Sequence, residues 1–414
     1  MLGVAQSGSN ATGACMSEFG SWYFDLARGA DGNFLHQGPP EPEEDSYAGS
    51  DCTGGYLLAY AMPLEKLYLT DKKSDAVPQL DAAAAQSLIV DGRGWNNKDR
   101  HSFYDALSDK KILERLGNWS PVVRERAAMT LGRCKDAPVT PLVEMPDSPS
   151  LDACYGACQG LIFLRGRGAP AVEALQKALT PEDLWLRIKA AEALAAIGAP
   201  ATKAVPQLLA RVDVKNDPRG MQQRYLSFAL FDNDGLLGRS PEGADRPALY
   251  KAVRAGLKNQ DGRARGSIGS VYRHLLLEEI KPLLPAIHEA IVQPPPSGEM
   301  FADGIRVEGL RLLSQHRIEE GMQALVIYTR DQNPWESQIR TPELMKMLLT
   351  YRTHGKRVIP ELTKIANYFE KDEKDLPPHL MRMQATNVRE TIAAIEASTD
   401  TPELIPIKQD KSPK

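Results

Sequence analysis

Two stretches near the start of the chain hold the densest mix of side chains able to do chemistry. Trp22, Tyr23, Asp25, Arg28, Asp31 and His36 fall within fifteen residues, and Asp45, Tyr47, Asp51, Cys52 and Tyr56 follow. A second cluster runs Asp91, Arg93, Trp95, Asn96, Asn97, Asp99, Arg100, His101 and Tyr104. Carboxylates beside aromatic rings can hold a sugar by stacking and hydrogen bonds, or serve as general acid and base. A plainer reading stands beside that one. Asp25 and Arg28 can pair locally, and Trp95 can seat its loop on a neighbouring helix. If a ligand is held here, the set expected to hold it is Trp22, Asp25, Arg28, Asp51, Trp95, Asn97, Arg100 and His101.

Elsewhere the spacing argues against a catalytic centre. Cys154 and Cys158 share one helical face, but a structural zinc needs four ligands and no further pair supplies them. The seven histidines are scattered without metal spacing, and no serine sits in a Gly-x-Ser-x-Gly elbow. FDNDGLLG, from Phe231, is too short for a calcium loop and reads as a turn between helices. DGRARGSIGS, from Asp261, has no preceding strand and no Gly-Lys-Ser/Thr. It reads as a helix that uses Gly266 and Gly269 for close packing. The basic stretches at 311–317 and 354–357 read as solvated faces. No metal and no cofactor are expected.

The elements that must position these residues are helices. Ser120-Pro121 is a capping hydroxyl before a proline at the first helical position, and Val123, Ala127, Ala128 and Leu131 form the apolar stripe behind it. The layout returns with Leu184, Ile188, Ala191 and Ala195, closed by Gly198. A second type of helix alternates with these, marked by short apolar words: AVEAL, AVPQL, LLPAI, GMQAL and RVIPEL. Its proline either bends the helix or marks its first turn. The words recur every 33–43 residues, allowing for one interval that spans two repeats. Two helices per repeat at that period predict an α-solenoid of about six pairs.

Composition is uneven along the 414 residues. Net charge is −4, yet residues 1–75 carry −7 and the remainder +3. Twelve of the 27 aromatic residues lie in the first 104. Five cysteines are too few for a disulfide framework. The acidic balance argues against nucleic acid as partner. No apolar run is long enough to span a membrane, and the first residues lack the basic and apolar blocks of a signal peptide. The compartment stays open.

The segments SPVVRERAAMTLGR and LRIKAAEALAAIGAPATKAVPQLLARV resemble HEAT repeats, and the resemblance extends over about residues 115–398. WYFDLARGADGNF, DCTGGYLLAYAMPLEKLYLT and LGNWSPVVRERAA resemble a family of bacterial proteins, mostly of planctomycete type. These place HEAT-like repeats after an α/α-toroid of the terpenoid-cyclase type. That resemblance implies that residues 1–110 are the closing helices of a toroid, or a cap re-used from one. Family members are often exported, which is expected of this chain if it is N-terminally truncated. The resemblance carries architecture and no reaction. The expected layout is all-α: a toroid-like module at 1–110, a HEAT-like α-solenoid at 111–400 and a flexible tail at 401–414. The function expected from it is non-catalytic recognition of a protein or an extended polymer such as a glycan. The alternative is a carbohydrate-active enzyme with its site in residues 1–110.

Overall fold

The computed structural model describes residues 102–118, 121–213, 217, 220–296, 301–334, 336–371 and 376–407. The chain is all-α over these residues. No strand occurs among them, and one isolated bridge pairs Ile318 with Ile405. Among the described residues no helix is long and apolar enough to cross a membrane. Over the described residues the chain divides into two compact units, one within 102–141 and 148–163, the other within 142–147 and 164–407.

In the first unit, α1 (Ser102–Asp105) and α2 (Asp109–Leu116) pack on α3 (Pro121–Arg133). Pro121 opens α3 because the first turn has no intrahelical acceptor for its missing N–H. The expected stripe of Val123, Ala127, Ala128 and Leu131 is buried. The short helix α4 (Val139–Glu144) follows, and then α5 (Leu151–Leu164). Gly156 lets α5 lie against the end of α2, since a Cβ there would sit 1.8 Å from the Leu116 carbonyl oxygen. Arg124 of α3 bonds Asp152 of α5 at 2.9 Å. Cys154 and Cys158 are both buried on α5.

The second unit is built of two rows of helices. The first row is α7 (Leu184–Ile197), α9 (Met221–Phe231), the broken pair α11 (Gly262–Ser267) and α12 (Gly269–Tyr272), α15 (Asp303–Gln315), α17 (Ser337–Leu349) and α19 (Pro378–Ala397). Each of these packs on the next in that order. The second row is α6 (Val172–Lys177), α8 (Val205–Val212), α10 (Arg246–Gly256), α14 (Leu284–Val292), α16 (Glu319–Asp331) and α18 (Ile359–Lys371), with the short α13 (Leu277–Ile280) before α14. Helices of the two rows contact each other at several places: α6 with α7, α8 with α9, α15 with α16 and α18 with α19.

The prolines of the second row mark first turns. Pro206, Pro247, Pro285 and Pro360 all lie at the second helical position, where no N–H is needed. Tight 3-10 turns lead into three of these helices, at 199–204, 281–283 and 352–358. Polar side chains tie neighbouring helices of the first row together. Arg187 donates to Gln222 at 2.7 Å, Asn259 to Gln223 at 2.9 Å, and Arg224 pairs with Asp261 at 2.9 Å. Asp183 and Asp261 cap α7 and α11 through their carboxylates.

Residues 400–407, which include the described part of the segment 401–414 expected as a tail, run back along the second unit. The Ile405 N–H donates to the Arg317 carbonyl at 3.1 Å, and the Ile405 carbonyl accepts from the Glu319 N–H at 3.0 Å. The Ile407 N–H donates to both carboxylate oxygens of Glu320 at 3.1 Å. Thr353 donates its N–H to Asp400 at 3.0 Å, and the His354 ring reaches the Pro402 carbonyl at 2.7 Å. The segment thus satisfies an exposed N–H in the first turn of α16.

Candidate functional site

All eight residues expected to bind a ligand, Trp22, Asp25, Arg28, Asp51, Trp95, Asn97, Arg100 and His101, lie outside the described residues. The site that can be built from described side chains is a groove on the first row of the second unit. Helices α9, α11, α12 and α15 form it, and it encloses about 320 Å³. Phe228 stands on one wall. Asp232 and Asn233 follow it where α9 ends. Arg263, Gly266 and Ser267 come from α11, Ser270 from α12, Arg273 from the chain just beyond it, and Glu308 from α15.

The turn after α9 positions the first group. The N–H groups of Leu236 and Leu237 reach back to the carbonyls of Ala229 and Leu230, so the chain doubles along the helix end. Gly235 and Gly238 permit that approach. A Cβ at Gly238 would lie 1.7 Å from the Asp232 carbonyl oxygen. FDNDGLLG is therefore a turn, and its two glycines hold Asp232 and Asn233 at the groove. The Asn233 N–H donates to the Asp232 carboxylate at 2.9 Å, and Arg273 donates to the Asn233 side-chain oxygen at 2.7 Å.

DGRARGSIGS is helical as expected, but its glycines differ. Gly269 is a close-packing position, where a Cβ would come within 2.7 Å of the Glu308 side chain. At Gly266 nothing among the described residues lies within 4 Å of where its Cβ would be, although its Cα lies close to Gly304 of α15. The missing side chain of Gly266 leaves the floor of the groove open. Ser270 donates to the Phe231 carbonyl, and Ser267 to the Ala264 carbonyl at 2.8 Å. Both hydroxyls keep lone pairs to accept from a ligand. Glu308 is braced by Arg311 at 2.6 Å. On α12, Tyr272 is buried, and its hydroxyl finds no hydrogen-bond partner among the described residues. Burial pushes its pKa up, and the Glu308 carboxylate adds to that.

Aromatic rings lead up to the groove. Trp185, in the first turn of α7, is 46% exposed. It meets Tyr225 edge to face at 5.8 Å between ring centroids, and Tyr225 meets Phe228 at 6.2 Å. The Arg224 guanidinium lies 5.2 Å from the Tyr225 ring. On the far side the Arg263 guanidinium lies 5.1 Å from the ring of Phe301, which is 54% exposed. Phe301 has a φ of +58°, an uncommon conformation for a bulky residue.

A smaller cavity of about 120 Å³ lies between α10, α14 and α15, lined by Arg254, Lys258, Glu289, Pro294 and Ile305 among others. Among the described residues, no three His, Cys, Asp or Glu side chains come together in a way that could hold a metal ion. The groove offers two cations, two carboxylates, an amide, two hydroxyls and an aromatic wall. That is an inventory for holding a polar ligand.

No linear motif announced this site, because its residues come from three successive helical pairs. FDNDGLLG and DGRARGSIGS supply Asp232, Asn233, Arg263, Gly266, Ser267 and Ser270, but each reads locally as a turn or a helix and neither marks the groove that they share.

Against known proteins, residues 1–71 are similar to a domain of unknown function, DUF6288. The match covers Trp22, Asp25, Arg28 and Asp51. No curated protein matches the chain.

Proposed function

We propose that the protein is a non-catalytic binding scaffold: a HEAT-like α-solenoid over residues 111–400, with residues 1–110 as a separate toroid-like module. The first row of helices presents the recognition surface, and the ligand is an extended polymer or a protein segment. Support for the repeat reading comes from the alternation of two helix types and from the first row, in which each helix packs on the next. Repeats of this kind bury their apolar faces only by stacking, and they offer a long face to extended ligands.

The observation that carries the binding role is the open floor at Gly266 between braced polar groups and exposed rings. Surfaces of this mixed character, held rigid before the ligand arrives, lose little entropy on binding. The test is Gly266→Trp in the full-length protein. The Cβ itself would meet nothing within 4 Å among the described residues, the indole would project into the groove, and a melting curve would establish that the variant folds. Peptide and polysaccharide panels would be screened by biolayer interferometry on wild type and variant, with mass spectrometry of each bound probe. Retention by wild type, loss in the variant and an unaltered probe are expected. Retention indifferent to the substitution would remove the groove from the binding surface, and a cleaved or modified probe would remove the non-catalytic reading.

A further inference from the structure

We propose that the groove and its aromatic approach bind a neutral glycan chain. This deepens the reading of the first row as the recognition face and rests on it.

The charges argue first. Arg263 and Arg273 face Asp232 and Glu308 in one groove. A phosphate or polyanion entering it would meet two carboxylates, and a polycation would meet two guanidiniums. Burying either without full pairing is costly. A ligand whose adjacent groups each donate and accept, and which carries no charge, satisfies both sets at once. Vicinal hydroxyls of a sugar have that property: they donate to carboxylates and accept from guanidinium and amide N–H.

The groove groups are also held in place before any ligand arrives. Asn233 ties Arg273 at 2.7 Å, the Asn233 N–H ties Asp232 at 2.9 Å, and Arg311 ties Glu308 at 2.6 Å.

The rings argue second. Trp185, Tyr225 and Phe228 form an unbroken contact series from an exposed indole to the groove wall. The apolar C–H face of a sugar ring suits the electron-rich face of an aromatic ring. A linear glycan laid along α7 and α9 would stack on Trp185 and place its next residues over Gly266. The open position at Gly266 admits a ring where any side chain would intrude.

The experiment is calorimetric titration of the full chain with hexasaccharides of glucose, xylose, mannose and N-acetylglucosamine. Acidic and basic peptides serve as comparison ligands, each at low and high salt. The variants are W185A and G266W, with melting curves to establish that both fold. The expected result is binding of at least one neutral hexasaccharide with little dependence on salt. Affinity should fall about tenfold in W185A, the worth of one stacking contact, and further in G266W. A peptide bound by wild type and lost in G266W, with no hexasaccharide bound, would overturn the glycan and leave the recognition face standing. Hexasaccharide binding indifferent to both folded variants would place the sugar elsewhere and overturn the proposal. Binding of no probe in a G266W-sensitive manner would overturn the glycan and the recognition face together.

Discussion

Two glycines that border one groove are predicted to respond to alanine in opposite directions. Gly266 is a helical residue with open space where its Cβ would be. Alanine there restricts the unfolded chain and meets nothing in the folded one, so Gly266→Ala should stabilise by about 0.5–1 kcal/mol. Gly238 closes the turn after α9, and its Cβ would fall 1.7 Å from the Asp232 carbonyl oxygen. Only backbone movement relieves that contact, so Gly238→Ala should cost about 2–3 kcal/mol. The movement would also displace Asp232 and Asn233 at the groove. Denaturant midpoints compared at unchanged slope check both, and a destabilised G266A would mean that the groove floor is not open. The difference could not be read from residue type. DGRARGSIGS suggested close packing at both Gly266 and Gly269, and only the placement of α15 separates them. Glu308 fills the space over Gly269, while Gly304 nears the Gly266 Cα and leaves its Cβ direction open among the described residues.

Among the elements, the segment 400–407 lends itself to a direct test. It follows the longest described helix, α19, and lays hydrogen bonds across the start of α16 and the 352–358 turn. Net worth per bond is about 1 kcal/mol, but ordering eight residues costs a comparable sum. The half-buried Leu404, Ile405 and Ile407 supply the balance. Truncation after Ser398 should therefore cost only about 1–2 kcal/mol globally. Locally the effect should be larger: the Glu319 amide should lose its protection in hydrogen exchange, and retained protection would mean the segment is not its acceptor. Locally this segment looks like a tail, because what holds it is long-range. Its sequence, TPELIPI, has no period, and it pairs 48 positions back at Thr401 and Pro402 and 87 positions back at Ile407. The helices were legible where one local rule sufficed. Pro121 starts α3, Gly198 at φ +77° ends α7, and the prolines of the second row open their helices. Of the stripe Leu184, Ile188, Ala191 and Ala195 in α7, Leu184 and Ala195 are only partly buried, and the core of the helix reaches well beyond the other two. Ile188 and Ala191 are buried as expected, but Leu186, Ala190, Ala193, Leu194 and Ile197 are buried too. A helix flanked by neighbours of both rows is apolar on more than one face, and a single-stripe reading misses the second.

At the scale of the molecule, a chain whose parts carry −7 over residues 1–75 and +3 over the rest calls for separate arguments about each part. For the second unit, the governing question is whether its rows behave as an array. In the array we propose, each pair is stabilised by its own core and by its two neighbours, so the end pair has one interface fewer. That pair is α18 with α19. It holds to the rest through α16, α17 and the 352–358 turn, while α9 and α11 are flanked on both sides. Native-state hydrogen exchange under rising denaturant distinguishes the two cases. An array predicts that amides of α18 and α19 open at lower denaturant than those of α9 to α12, with Gly266→Ala raising protection mainly in α9, α11 and α15. A single closed core predicts one opening free energy for the slowest amides of every helix, raised equally by the same substitution. Graded opening would support the stacked repeats read from a 33–43-residue period. A uniform opening would leave the period as a feature of the sequence alone, and the groove would then sit on a cooperative domain instead of on one station of a longer binding face.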